Sequence, residues 1–310
     1  MPFSSTGFSL GAGLSFARAA GALLLLGACS PLAAIDTIAP KDGYVRYDGL
    51  AYGSGDRQKL DVYVPTEARP PFRVVVFFYG GGWKAGQREF YRFVGQALAK
   101  RGFLAVVPDY RIFPNARFPD FLEDSAAAVR WVRNNVTAYG GDLNHLTLMG
   151  HSAGAYNAAM ISVDARYLGR EGLSPEIISG VIGIAGPYAF NPLLYSSTRP
   201  IFEAADAAET QVVRFVGPGA PPMLLLHGLD DGTVKPVNSR RLARSLDRVG
   251  SEVELIEYEG LGHYLIVAAL AQPFQGEGGI MDAAAAFVRG ETPPLPARAR
   301  RNTTFSADAG

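Results

Sequence analysis

The chain is poor in the residues that build disulfides and metal sites. Among its 310 residues there is one cysteine, Cys29, so no disulfide can form within the chain. No group of cysteines and histidines has the spacing of metal ligands, and we expect neither a metal nor an organic cofactor. Lysine and arginine together number 29, as do aspartate and glutamate, and no basic stretch is interleaved with aromatic residues. Nucleic acid is therefore not expected as a partner.

A long apolar run is also missing. Residues 19–28 are apolar, but a helix needs about 20 such residues to cross a bilayer. The run follows Arg18 and ends at Leu26-Gly-Ala-Cys29, which resembles the signal of a bacterial lipoprotein. In such signals the cysteine is lipidated and becomes the new N-terminus. We therefore predict a signal peptide over residues 1–28.

The predicted lipid on Cys29 would attach the protein to a membrane surface without a spanning helix. Residues 29–54 would form a tether between this anchor and the folded domain. The signal implies export and anchoring to the cell envelope, and Ser30 favours the periplasmic side of the outer membrane. An ordinary secretory signal, which would leave the protein periplasmic or secreted, is the alternative.

The remainder of the sequence predicts an α/β fold. Strand-like and helix-like segments alternate, which is typical of a mostly parallel sheet flanked by helices on both faces. We expect this domain to cover residues 55–290 and the polar tail at 291–310 to be disordered. The aperiodic segment 187–221 is long for a strand connection and is interpreted as a small cap. Predicted strands are 59–64, 73–79, 103–108, 145–149, 179–185, 222–227 and 252–258, and predicted helices are 88–101, 119–136, 153–165, 236–249 and 279–289.

Residues 150–154 read Gly-His-Ser-Ala-Gly between an apolar strand and a helical run. This is the setting of a G-x-S-x-G nucleophile elbow, in which a sharp turn exposes the serine hydroxyl. Gly150 and Gly154 are needed because side chains there would collide with the neighbouring strand and helix. The pattern makes Ser152 a candidate nucleophile.

A serine hydroxyl becomes nucleophilic only when a base takes its proton and an acid orients that base. In α/β-hydrolases the chain order is serine, acid, histidine. His145 and His151 precede or adjoin the serine, and His227 precedes the acidic turn. By elimination and by order, His263 is the candidate base.

The acid is one of two neighbours in the turn after the apolar strand at residues 223–226. Asp231 is preferred because the D-x-x-V arrangement lets Val234 pack inward while the carboxylate faces the site. Asp230 could instead satisfy backbone N–H groups of the turn, and a shared role stays open.

A glycine triplet follows the apolar strand at residues 74–78. Glycines can turn backbone N–H groups toward a ligand without obstruction. Together with the N–H group after the serine, that of Ala153, they could stabilise a tetrahedral oxyanion.

These motifs together resemble the α/β-hydrolase carboxylesterases, a group that includes hormone-sensitive-lipase-like esterases, arylformamidases and isoprenylcysteine methylesterases. The resemblance covers roughly residues 55–290 and implies N–H groups of Gly81, Gly82 and Ala153 as oxyanion donors. It rests on several segments in the right order, namely Gly80-Gly-Gly-Trp83, Pro108-Asp-Tyr-Arg111, Phe118-Pro-Asp-Phe-Leu-Glu-Asp124, Tyr139-Gly-Gly-Asp142, Gly150-His-Ser-Ala-Gly154, His227-Gly-Leu-Asp-Asp231 and Gly262-His263.

One position departs from the family. Tyr79 stands where the family usually has the histidine of His-Gly-Gly-Gly, a residue that anchors the loop. A tyrosine hydroxyl could serve as the same anchor. Aromatic residues beside the motifs or the cap segment are candidates to line the pocket; they are Trp83, Phe113, Tyr156, Tyr188 and Tyr264.

The sequence therefore predicts a serine esterase that acts on short- to medium-chain carboxylic esters through an acyl-enzyme. An aryl-formamide hydrolase or peptidase would use the same residues, because a triad does not reveal the leaving group. An acyltransferase, in which a second alcohol replaces water, and a non-catalytic surface-binding lipoprotein are also compatible with the fold.

Overall fold

The sheet that positions the site is built from strands whose side chains are buried on both faces. The structure, a computed structural model, describes residues 31–272, 274–276 and 279–302. Every residue of the strands 104–108, 180–184 and 223–228 is buried, as expected for parallel strands covered by helices on both sides. The predicted signal peptide and Cys29 lie outside the described residues.

Within these ranges the strands form one sheet in the order β1-β2-β4-β3-β5-β6-β7-β8-β9. Strands β3 to β8 run parallel to one another. Strands β1 and β2 at one edge and β9 at the other are joined by antiparallel pairing. The strand bounds are β1 (Tyr44–Ala51), β2 (Lys59–Pro65), β3 (Phe72–Phe78), β4 (Leu104–Pro108), β5 (Gly141–His151), β6 (Gly180–Ile184), β7 (Met223–Gly228), β8 (Val253–Tyr258) and β9 (Ala299–Asn302).

Helices flank this sheet. They are α1 (Pro31–Ile38), α2 (Arg92–Lys100), α3 (Asp120–Asn135), α4 (Ala153–Val163), α5 (Ala165–Arg170), α6 (Arg199–Phe202), α7 (Val237–Arg248), α8 (His263–Ala268) and α9 (Ile280–Arg289). None of the helices in the described ranges combines the length and apolar character needed to cross a bilayer. The predicted α/β fold with a mostly parallel sheet is confirmed.

The predicted tether at 29–54 is wrong where the structure describes it. Helix α1 packs on the domain through Asp36, which is buried and accepts hydrogen bonds from Arg92 Nε at 2.7 Å and from the backbone N–H of Phe93 at 3.1 Å. Strand β1 pairs with β2 along most of its length. It was missed because its side chains alternate poorly between buried and exposed, as on many edge strands.

The predicted disordered tail at 291–310 is also wrong in part. Strand β9 pairs antiparallel with β8, and Arg300 Nε donates to the buried carboxylate of Glu257 at 3.1 Å. Backbone pairing and charge hold this strand on the sheet. Because the strand has no apolar pattern, hydrophobic periodicity did not predict it. Residues 303–310 lie outside the described residues.

Candidate active site

The turn between β5 and α4 holds Ser152 in a backbone conformation that L-residues rarely adopt, with φ 54° and ψ −121°. The glycines on either side permit this turn. A Cβ atom on Gly150 would lie 2.3 Å from the carbonyl oxygen of Gly154, and one on Gly154 would lie 2.0 Å from that of Phe78. Strand β3, strand β5 and helix α4 therefore meet more closely than any side chain allows.

The structure brings the three predicted triad residues together. His263, the first residue of α8, places Nε2 2.9 Å from Ser152 Oγ and Nδ1 2.7 Å from Asp231 Oδ2. All three side chains are buried or nearly so. These distances place the imidazole so that Nδ1 can donate to the carboxylate while Nε2 accepts the serine hydroxyl.

The geometry distinguishes the two aspartates. Asp231 contacts His263, and its other oxygen, Oδ1, accepts the backbone N–H groups of Thr233 and Val234, each at 2.8 Å. Asp230 is exposed, and its backbone N–H donates to the carbonyl oxygen of Leu261. Val234 is only half-buried, so it stabilises the turn through its backbone rather than by packing inward as expected.

The Asp231 carboxyl is held in its ionised form. Burial raises its pKa, but hydrogen bonds from His227, His263 and the backbone of Val234 outweigh burial and hold the pKa below the usual range. A carboxylate that stays charged can stabilise a cationic imidazole beside it.

Two further histidines surround the triad. His227 is fully buried; Nδ1 lies 2.7 Å from Ser239 Oγ, and Nε2 lies 2.9 Å from the carbonyl oxygen of Val234 and 3.4 Å from Asp231 Oδ2. It therefore holds the turn that carries the acid. The sequence excluded His227 as a base but gave no signal of this supporting position.

His151 supports the other side of the site. Its Nε2 lies 2.9 Å from the backbone oxygen of His263, and the two rings are 4.8 Å apart. Burial, together with the charge of His263, lowers the pKa of His151 to about 3, so the ring is neutral and donates to that oxygen. His151 thus fixes the backbone at the position of the candidate base.

The glycine loop after β3 lies beside the elbow. Gly82 and Ala153 line the same cavity as Ser152. Gly81 has φ 137°, a Cβ atom there would lie 2.1 Å from the carbonyl oxygen of Ala85, and its own carbonyl accepts the N–H groups of Lys84 and Ala85. Gly81 is not among the residues that line the cavity, and its direct structural effect is to close the turn.

Tyr79 anchors this loop, as its position suggested. Its hydroxyl donates to Asp109 Oδ1 at 2.7 Å and accepts from Arg57 Nη2 at 2.8 Å. The ring is stacked between Tyr91 and Tyr110 at 5.2 and 4.8 Å. Arg57 and Asp109 were not singled out from the sequence, although Asp109 belongs to one of the motifs.

A cavity of about 530 Å³ opens above Ser152, between the elbow, the 187–221 segment and the start of α7. Of the five aromatic candidates, Trp83 lines it. The indole is buried, its Nε1 donates to Asn157 Oδ1 at 3.0 Å, and it stacks on Phe121. Trp83 therefore forms a rigid wall of the cavity.

The other four aromatic candidates do not line this cavity. Tyr156 and Tyr188 are fully buried in the core, and the Tyr156 hydroxyl donates to the carbonyl oxygen of Thr210 at 2.9 Å. Tyr264 is 57% exposed and lies outside the cavity lining. Phe113 packs near Lys84 and Arg117 instead. Tyr156 and Tyr188 serve core packing, which is the more frequent role of an aromatic residue beside a motif.

The cavity wall contains residues that the sequence did not single out individually. Phe190, Leu194 and Tyr195 come from the cap-like segment, and Lys235 and Arg241 flank the start of α7. For the three residues of the cap-like segment, the length of that segment was the available signal in the sequence. No sequence motif marked Lys235 or Arg241.

The contacts of Tyr79 lead to a prediction for the loop. Tyr79→Phe removes a hydroxyl that satisfies buried Asp109, so the free energy of unfolding should fall by about 1–3 kcal/mol. Urea unfolding measures the change, with Tyr47→Phe as the control, because Tyr47 is 45% exposed. Equal stability of the two variants would show that the hydroxyl does not anchor the loop.

Comparisons with known proteins agree with this architecture. The probable isoprenylcysteine alpha-carbonyl methylesterase of Arabidopsis thaliana is 30% identical over 71% of this chain and 51% of its own length. Esterase LipC of Mycobacterium tuberculosis is 29% identical over 71% of this chain and 60% of its own length. The chain thus spans about half the length of the curated relatives it matches first.

Solved structures show the same fold. Esterase B from Lactobacillus rhamnosis, inhibited by a tributyrin phosphonate, superposes with a TM-score of 0.72 at 20% identity, covering 89% of this chain and 92% of that chain. The fold is therefore that of the α/β-hydrolases. The model of the BD-FAE family matches residues 60–246, a range that contains the glycine loop, the elbow and Asp231. The chain belongs to the BD-FAE family.

Proposed function

We propose that this protein is a carboxylic ester hydrolase that acts through Ser152, His263 and Asp231. The observation that carries the proposal is the continuous hydrogen-bonded path from Ser152 Oγ through the imidazole to an ionised carboxylate, at 2.9 and 2.7 Å. This path ends at the floor of a cavity large enough for a small ester. The esterase names of the relatives support the same reaction.

In the acylation step, Ser152 Oγ attacks the ester carbonyl carbon while its proton moves to His263 Nε2. Asp231 keeps the imidazole oriented and stabilises its positive charge as it forms. The tetrahedral intermediate collapses when His263 returns the proton to the leaving alkoxide oxygen. The C–O bond to the alcohol breaks, and an acyl-serine remains.

Deacylation repeats the same steps with water. His263 takes a proton from a water molecule, whose oxygen attacks the acyl carbon, and the proton then returns to Ser152 Oγ. The carboxylic acid leaves, and the serine is restored. No additional reactant is required.

The oxyanion of both intermediates would be held by backbone N–H groups of the glycine loop and of Ala153. Gly82 and Ala153 line the same cavity as Ser152, and the family resemblance adds Gly81. One such donor contributes about 2.7–4 kcal/mol to transition-state stabilisation. Because these donors belong to the backbone, the glycine turn must be rigid, and Tyr79 provides that rigidity.

The cavity favours short- to medium-chain acyl groups. Trp83 and Phe190 are stacked 6.2 Å apart at its wall, and Leu194 and Tyr195 lie at its exposed side. The buried wall limits the length that fits inside, whereas the exposed side leaves room for part of the substrate to extend outward.

Hydrolysis of 4-nitrophenyl esters from acetate to palmitate tests the proposal. We expect activity with a short- to medium-chain optimum, lowered about 10⁴-fold or more by Ser152→Ala and His263→Ala and about 10³- to 10⁴-fold by Asp231→Asn. His145→Ala is the matched histidine control, since the side chain of His145 is 40% exposed and pairs with Asp142 at the protein surface.

Retention of wild-type rates in Ser152→Ala would contradict the proposal. Activity on aryl-formamides or peptides without any on esters would place the same residues in the alternative hydrolases. Absence of turnover on every substrate would favour a non-catalytic binding protein.

We also propose that the mature protein is anchored to a membrane surface by a lipid on Cys29. The support is the apolar run that ends at Leu26-Gly-Ala-Cys29, with Cys29 the single cysteine of the chain. Cys29→Ala should abolish incorporation of labelled palmitate and release the protein from the membrane fraction. Unchanged labelling of this variant would rule out Cys29 as the site.

A further inference from the structure

Two positively charged side chains line the cavity above Ser152. Lys235 precedes α7 by two residues and Arg241 lies in its second turn, and both line the cavity. No aspartate or glutamate is among the described residues that line it. The chain as a whole has equal numbers of acidic and basic residues, so this imbalance is local.

Neither cation is neutralised by a neighbour. Within the described part of the chain, no carboxylate lies within 4.0 Å of Lys235 or Arg241, whereas Arg240 on the same helix pairs with Glu257 at 2.7 Å. The first turn of α7 contains no acidic residue. Both side chains are exposed, and they can move to meet a ligand.

Several neutral polar groups of the cavity are already committed to the backbone. Asn191 Oδ1 accepts the backbone N–H of Leu193. The Thr198 hydroxyl and the Gln211 amide each donate to a backbone carbonyl oxygen, that of Pro192 and that of Ala207 respectively. The Asn238 side chain contacts the backbone of both Ala189 and Lys235. These groups hold the cap-like segment and the start of α7 in place. The two cations, in contrast, are available to a substrate.

We infer that the preferred esters carry a carboxylate at a distance from the scissile bond, bound by Lys235 and Arg241. An arginine guanidinium binds a carboxylate through two parallel hydrogen bonds, and a lysine adds a mobile charge. This inference rests on the proposed ester hydrolysis and names its substrate class.

The apolar residues at the cavity mouth fit the middle of such a substrate. Leu194, Tyr195 and Val237 are 71%, 54% and 40% exposed and line the same cavity as the two cations. A chain or ring between the ester and the carboxylate would contact these side chains. The specificity would then combine an apolar spacer with a terminal anion.

Matched carboxylate and carboxamide esters test the inference on either side of the scissile bond. The acyl pair is the mono-4-nitrophenyl ester of adipic acid and the same ester of adipic acid monoamide. The alcohol pair is the butyrate ester of 4-hydroxybenzoate and that of 4-hydroxybenzamide. Within each pair the charge changes while size and shape are kept. The measured quantity is the ratio of kcat/KM for the carboxylate to kcat/KM for the carboxamide.

In the double variant Lys235→Gln/Arg241→Gln, we expect this ratio to fall about fivefold or more for at least one of the two ester pairs. A factor of about five is what two exposed ion pairs contribute together. Added salt should lower the ratio of the wild-type protein toward that of the variant. Arg248→Gln is the control, because Arg248 lies at the end of the same helix outside the cavity lining. Each ratio is taken on one preparation, so loss of folded protein cancels.

A ratio that is unchanged by the double variant in both pairs, while the carboxamide esters are hydrolysed, overturns the inference and leaves the esterase proposal intact. An equal fall with Arg248→Gln also overturns it, since the effect would then be one of general charge. Absence of hydrolysis of all four esters by the wild-type protein overturns both proposals.

Discussion

The site depends on the close approach of three backbones at the nucleophile turn. The end of β3, the end of β5 and the first turn of α4 are so close that Gly150 and Gly154 have no space for a Cβ atom. This contact holds Ser152 at a positive φ. It also brings the glycine loop that follows β3 beside the serine. One packing constraint therefore positions both the hydroxyl and the backbone groups near it.

The remaining groups reach the site because parallel strands end at one edge of the sheet. Asp231 follows β7 and His263 follows β8, and these two strands are neighbours. Each is then fixed by a second histidine: His227 contacts the turn that carries Asp231, and His151 contacts the backbone of His263. Because both supports are buried, the triad geometry is stabilised by the core itself.

Residues with a local signature were predictable from the sequence. Ser152 has a glycine pattern that sterics require, and His263 was left after order excluded the other histidines. The parallel strands appeared as apolar runs because both of their faces are buried. The sequence also indicated that Tyr79 could replace a histidine as a loop anchor, since only a hydrogen-bonding tip on a large ring was needed.

Residues that act through long-range contacts were not predictable in the same way. Strand β9 is attached by backbone pairing and charge, whereas helix α1 packs on the domain through Ile35 and the buried carboxylate of Asp36. With four and eight residues, the two elements are too short to show an apolar period in the sequence. Tyr156 and Tyr188 were assigned to the pocket because of their position beside motifs, but the direction of a side chain from a buried element depends on tertiary packing. The cavity wall at Lys235 and Arg241 arises only when α7 meets the cap-like segment.

Covalent trapping of the nucleophile tests the central claim most directly. The wild-type protein and the Ser152→Ala and His263→Ala variants would be incubated with a fluorophosphonate, and the modified peptide identified by mass spectrometry. The geometry predicts one adduct per chain, on Ser152, absent from Ser152→Ala and formed far more slowly in His263→Ala. Labelling of another residue, or equal labelling of Ser152→Ala, would contradict the assignment of Ser152 as the nucleophile.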